Sequence, residues 1–183
     1  MEKKYELTDE TICCIGHTLH RIKALKDFFD IKKGDIGGFI EKEGNLSQDD
    51  DCWVYDNAKV FDGAKVFGNA IVFGYVTVSD NARVFDDAKV FGKARVFGKA
   101  DVYGNAEIGG DVEVKSMSDY MVFKNNWSSG RYFTWTRSND MWRAGCFYGT
   151  GDELIKKAYK DNEESGRKYK AIVEVTKQIN NGK

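Results

Sequence analysis

The chain has 183 residues, with 28 Lys and Arg against 29 Asp and Glu and a formal net charge of -1. Without a basic excess it lacks the electrostatic footprint of a duplex nucleic-acid binder. It has no apolar run of 18 residues to span a membrane, and its charged opening, MEKKYELTDE, does not read as a signal peptide, so the expected location is cytoplasmic.

Residues 1–50 contain a predicted strand at TLHRIKAL, followed by KDFFDIKKGDIGGFIEKEGNLS, in which Gly34, Gly37, Gly38 and Gly44 punctuate short elements. This stretch is expected to cap the first turn of the repeat that begins at residue 51. In a cytoplasmic setting Cys13, Cys14, Cys52 and Cys146 are expected to be reduced, small and buried. Cys13, Cys14, His17 and His20 can be drawn as a zinc site. Adjacent cysteines close a tetrahedron poorly, however, and His17 and His20 face opposite sides of a strand, so no metal or cofactor is assigned. The run Asp49-Asp50-Asp51 reads as a solvated turn.

Residues 51–117 carry the dominant pattern. Val54, Val60, Val66, Val72, Val78, Val84, Val90, Val96, Val102, Ile108 and Val114 stand six residues apart. A small residue precedes each by two (Ala58, Ala64 and Ala70, for example), and Asp or Gly follows by two, from Asp56 to Gly110, until Ser116. On a four-residue strand the small residue and the valine share one face, and Gly or Asp tolerates the positive φ of a sharp corner. One hexad is one side of a polygon. Three sides make an 18-residue coil of parallel β-helix rising about 4.8 Å per turn, a triangle that nothing wider than valine is expected to fill.

The residue after each valine points outward, and eight of the eleven are aromatic. Fully burying a Phe stabilises by ~1.5–3 kcal/mol, so stacked stripes of them are expected to be covered. Sorted by the 18-residue coil, Trp53, Tyr55, Phe73 and Phe91 form the most apolar face, the expected oligomer interface. Lys65, Phe67, Arg83, Phe85 and Tyr103 form a second, whose alternating cations and rings suit either an anionic aromatic ligand or a binding partner. The same residues also read as ordinary solubility and ladder positions.

Residues 118–183 change composition. DYMVFK, RYFTWTR and MWRAGCFY predict a three-stranded antiparallel meander. Thr150 and Glu153 form a capping box for a helix through about Lys160, and KYKAIVEVTKQI carries Tyr169, Ile172, Val173, Thr176 and Ile179 at helical spacing. Trp127, Trp135 and Trp142 are further partner-binding candidates in this small α+β domain.

The hexads resemble the hexapeptide-repeat, left-handed β-helix superfamily, and that resemblance implies the left hand of the coil. Its enzymes are acyltransferases with a catalytic histidine on or near the coil, and related carbonic anhydrases with a three-histidine zinc site. Here His17 and His20, both upstream of the hexads, supply neither, so no catalytic residue is assigned. HRIKALKDFFDIKKGDIGGFIEKEGNLSQ, CWVYDNAKVFDGAKVFGNA and GCFYGTGDELIKKAYK together resemble hexapeptide-repeat proteins carried by bacteriophages and prophages. That resemblance implies a mobile-element accessory protein with no established chemistry to carry over; the expected function is non-enzymatic interference with a host defence protein in the bacterial cytoplasm, and the superfamily resemblance favours a homotrimer. The alternatives are a sponge for a nucleotide second messenger at the second face, or an acyltransferase.

Overall fold

Ten corner residues, Asp56, Asp62, Gly68, Gly74, Asp80, Asp86, Gly92, Gly98, Gly104 and Gly110, have φ between 53° and 95° in the computed structural model, which describes residues 2–181. These are the Asp and Gly positions that the hexad assigns to corners. Strands β1 (Tyr5–Cys14), β2 (His17–Ala24) and β3 (Ile36–Ile40) precede eleven two-residue strands. These are β4 (Trp53–Val54), β5 (Lys59–Val60), β6 (Lys65–Val66), β7 (Ile71–Val72), β8 (Thr77–Val78), β9 (Arg83–Val84), β10 (Lys89–Val90), β11 (Arg95–Val96), β12 (Asp101–Val102), β13 (Glu107–Ile108) and β14 (Glu113–Val114).

The eleven strands stack into three parallel sheets, β5-β8-β11-β14, β4-β7-β10-β13 and β6-β9-β12, with partners 18 residues apart, as in Val60 beside Val78. Backbone amides bond one coil ahead, Tyr55 N to Val72 O at 2.8 Å and Phe73 N to Val90 O at 2.9 Å. Only two residues per side pair, rather than four, because the corners take the others. Every small and aliphatic residue of the repeat is buried. The interior also accepts Ile108 and, at its first sides, Ile40 and Leu46, so side chains wider than valine do fit.

The corner aspartates have a further role. Asp56 Oδ2 accepts from Gly74 N at 3.0 Å, Asp80 Oδ2 from Gly98 N at 2.8 Å, and Asp86 Oδ2 from Gly104 N at 3.1 Å. Each carboxylate thus binds a corner amide of the next coil, an amide that the parallel ladder leaves without a carbonyl. Glycine is required where corners approach: a Cβ on Gly92 would lie 2.9 Å from Gly110 N.

The coil begins before the regular hexads. β3 pairs in parallel with β5, Ile40 beside Val60, and Leu46 bridges Val66, an offset of 20 residues instead of 18. The two extra residues fall in the Asp49–Asp51 region. There the buried Lys4 ammonium donates to the carbonyls of Asp49 (3.0 Å), Asp50 (3.2 Å) and Cys52 (3.0 Å). Burial lowers its pKa below the ordinary lysine value. The acidic side chains face water while their backbone is anchored from within.

β1 and β2 form an antiparallel hairpin, and β2 continues antiparallel to β3, giving the sheet order β1-β2-β3-β5-β8-β11-β14. The polar β1 segment, YELTDETICC, was not expected as a strand. It buries little of itself, so its sequence carries no apolar stripe.

The chain divides after Asp119. In the second unit β15 (Tyr120–Lys124), β16 (Tyr132–Thr136), β17 (Met141–Ala144) and β18 (Phe147–Thr150) form a four-stranded antiparallel meander. One strand more than expected arises because Gly145, with φ 59°, turns the chain inside MWRAGCFY. Helix α1 (Gly151–Asp161) starts at the capping box, with Thr150 N to Glu153 Oε2 at 2.8 Å and Glu153 N to Thr150 Oγ1 at 3.3 Å. Helix α2 (Glu163–Asn181) starts earlier than its apolar stripe, because the Asn162 side chain accepts from Ser165 N at 2.8 Å. Phe133, Trp135, Trp142, Leu154 and Val173 make the core, whereas Ile179, expected on the buried stripe, is exposed. Among the described residues no helix is long and apolar enough to cross a membrane.

Candidate functional site

The β6-β9-β12 face presents a continuous ring stack. Phe67 and Phe85 lie 4.8 Å apart and 3° from parallel, and Phe85 and Tyr103 lie 5.3 Å apart at 10°. One coil of rise per ring places them at stacking distance, so the 18-residue period builds this ladder without further design. Phe67 and Phe85 are half-buried and Tyr103 is 43% exposed. Beside the rings run Lys65, Arg83 and Asp101. Arg83 Nε donates to Asp101 Oδ1 at 2.7 Å, with Nη2 on the other carboxylate oxygen, so its charge is already matched within the face. Lys65 is exposed. The result is an apolar platform with a narrow polar margin.

The face assigned to an oligomer interface is only partly open. Phe73 and Phe91 stack at 5.0 Å and 8°. Phe91 lies over Gly109, where a Cβ would come within 2.4 Å of the ring. Tyr55 is half-buried, its hydroxyl donating to Asp30 Oδ1 at 2.8 Å; burial and that carboxylate raise its pKa. Trp53 must be removed from this face. It is 0% exposed, with Tyr5 and Phe28 edge-on at 6.1 and 5.4 Å, because the N-terminal segment lies over it. On the third face Phe61 is covered in the same way by Leu19 and Phe39, while the Arg95 and Lys115 cations approach the Phe97 ring at 5.2 and 5.3 Å.

Two tryptophans expected at the surface are also buried. Trp135 and Trp142 are 1% and 2% exposed in the second core, and the Trp135 indole donates to Asp140 at 2.7 Å. Their strands alternate as expected, but the α1–α2 pair covers the face on which they lie. Trp127 is half-buried, edge-on to Tyr169 at 5.2 Å, with the Lys168 ammonium 5.4 Å from its ring.

One group is not legible in the sequence. His17 Nδ1 is 2.8 Å from Glu41 Oε1 and its Nε2 is 3.2 Å from Asp62 Oδ1, and the ring lies 5.0 Å from that of Phe61. Glu41 Oε2 also accepts from Asp62 N at 2.8 Å. Hydrogen bonding to Glu41, helped by Asp62, raises the His17 pKa, and the His17 contact holds Glu41 below the usual carboxylate range. With a carboxylate at each ring nitrogen, His17 clamps the hairpin to the coil, most strongly when the ring is protonated. The three side chains have a composition able to ligate a divalent cation, but both imidazole nitrogens already serve these carboxylates. Asp62 was legible as a corner, but its meeting with His17 depends on the 20-residue offset of β3.

His20 instead places Nδ1 3.1 Å from Thr8 O. The cysteines are free but not uniformly buried: Cys52 is buried and Cys14 partly so, whereas Cys13 and Cys146 are exposed near hairpin turns, where the chain has no second layer to cover them.

No family model matches the chain. Over 38 residues it is 45% identical to an uncharacterized acetyltransferase, YdcK, of Escherichia coli strain K12. The match covers 21% of this chain and 12% of that protein, so only about an eighth of the relative's length is represented. The likeness and the parallel β-solenoid are consistent with the hexapeptide-repeat superfamily.

Proposed function

We propose that this chain is a non-enzymatic binding protein that engages a protein partner through the Phe67–Phe85–Tyr103 ladder. The observation that carries the reading is a stack of three near-parallel rings, half-buried at Phe67 and Phe85 and exposed at Tyr103. Such rigid aromatic surface supplies contact area at low entropic cost. The Arg83–Asp101 pair supports a protein over an anionic nucleotide, because it leaves the face with little uncompensated positive charge. The phage-type resemblance makes a host defence protein the partner of choice, and a homotrimer joined through Phe73 and Phe91 the form that carries it. The test is affinity capture from host lysate with wild type and a Phe67→Ser/Phe85→Ser double variant of unchanged melting temperature. A defined protein retained by wild type and lost by the variant is expected. Equal retention removes the ladder from the proposal, and heat release of a molecule absorbing near 260 nm replaces it with nucleotide capture.

Acyl transfer is the second reading, favoured by the local likeness to an acetyltransferase and by His17 lying against a coil corner. As a general base His17 would need one nitrogen freed from its carboxylate. Saturable binding of acetyl-coenzyme A, with acetyl transfer abolished by His17→Gln, is what this reading requires.

A further inference from the structure

The C-terminal unit holds a cleft of about 360 Å³ that the ring ladder of the coil does not use. Its floor is apolar, made by the buried Leu154 and Ala158 of α1. Phe147, Tyr132 and Tyr169 give it aromatic walls. One wall is preorganised. The Asn125 side chain donates to Ser128 Oγ at 2.8 Å and to the Tyr169 hydroxyl at 3.1 Å, and its Oδ1 accepts from Ser128 N at 3.0 Å. Asn125 N to Arg131 O (2.8 Å) and Gly130 N to Asn125 O (2.9 Å) close the same loop.

Two cations stand on this cleft, Arg131 from that loop and Lys157 from α1, with Asp161 as the single carboxylate among the lining side chains. Neither cation forms an ion pair among the described residues, in contrast to Arg83 and Arg95 on the coil. Arg131 is positioned across the β17–β18 turn, its Nη1 3.2 Å from where a Cβ on Gly145 would stand. Ser165, in the first turn of α2, is 5% exposed and lines the cleft, and among the described residues its hydroxyl has no hydrogen-bond partner. The first turn of α2 adds the positive end of a helix dipole, which favours an anion.

We propose that this cleft binds a small aromatic anion, a ring bearing a phosphate or carboxylate. Arg131 and Lys157 meet the charge, the Ser165 hydroxyl donates to the same group, and the ring lies between the aromatic walls over Leu154 and Ala158. The volume lies within the range of small-ligand pockets, and apolar walls with few polar groups fix a ring by shape and its head group by charge.

The test is an amide NMR titration of the full chain with phenyl phosphate, benzoate, phenol and inorganic phosphate. Phenyl phosphate or benzoate is expected to give saturable shifts at Ser128–Arg131 and around Ser165. The tighter of the two identifies the head group, and phenol and phosphate are each expected to bind at least tenfold more weakly. Arg131→Ala/Lys157→Ala is expected to weaken binding at least tenfold, and Ser165→Ala severalfold. Lys157→Gln alone, at an exposed helical position, serves if the double variant is unstable, with a loss of several-fold. Shifts that never saturate and spread over exposed lysines overturn the proposal, as does saturable binding that these variants leave unchanged.

Discussion

His17 sits at the tip of the β1–β2 hairpin with a carboxylate against each ring nitrogen, and this makes its contribution dependent on pH. Its folded pKa is raised above the imidazole value of about 6.5. The clamp therefore stabilises fully below that value and its contribution is lost as pH rises through the raised folded pKa. Glu41 has a lowered folded pKa, so on the acid side the contribution is complete above the ordinary carboxylate value and fades as pH falls through the lowered one. Mildly acidic solution is where hairpin and coil are held together most firmly. Replacing Glu41 with Gln should move the His17 titration midpoint, followed through its imidazole proton resonances, down toward the ordinary value. Asp62→Asn should move it less, because the Glu41 hydrogen bond is the larger cause. A midpoint that Glu41→Gln leaves in place would mean that the clamp is not made in solution.

At the level of the element, the coil is a set of columns in which each residue repeats the surroundings of the one 18 positions away. Inside, Val84 and Ala88 are fully buried among small and aliphatic side chains of the repeat. Val84→Asp should therefore cost more than about 2 kcal/mol, the lower end for an unpaired buried polar group, and Ala88→Leu about 1–3 kcal/mol by overpacking. Thermal melting reads both, and wild-type melting of Val84→Asp would contradict the dry interior. Outside, the columns carry stacked rings and cross-coil ion pairs, such as Arg95 with Glu113 at 2.7 Å. At the corners, aspartates bind the amides of the next coil. The same spacing serves all three roles.

For the whole molecule, the open aromatic stripes bear on assembly. With Trp53 buried and Tyr55 tied to Asp30, Phe73 and Phe91 are the remaining rings of the proposed interface. A closed ring of copies would cover them all equivalently. Light scattering should give a trimer for wild type and monomers for the Phe73→Ser/Phe91→Ser double variant. A wild-type mass near 20.7 kDa would discard the trimer, and a variant that stays oligomeric would move the interface elsewhere.

Much of this architecture follows from local chemistry repeated along the chain. Small-x-Val-x-Gly/Asp specifies inner and outer faces and corners of positive φ at every turn, and Thr150 with Glu153 specifies a helix start, because each depends on neighbours a few residues away or on the period itself. The covering of individual rings is another matter. Trp53 and Tyr55 read alike as outward aromatics, yet Phe28 and Tyr5 bury the first while the second stays half-open. Trp135 and Trp142 went into a core because two helices, later in the chain, pack on their side of the meander. The β1 hairpin, the shift from a 20-residue to an 18-residue offset around Lys4, and the meeting of His17 with Asp62 join segments tens of residues apart. Such pairings are selected by the packing of the folded chain and leave no period in the sequence, so only the tertiary structure decided which aromatic stripes and which histidine are available for function.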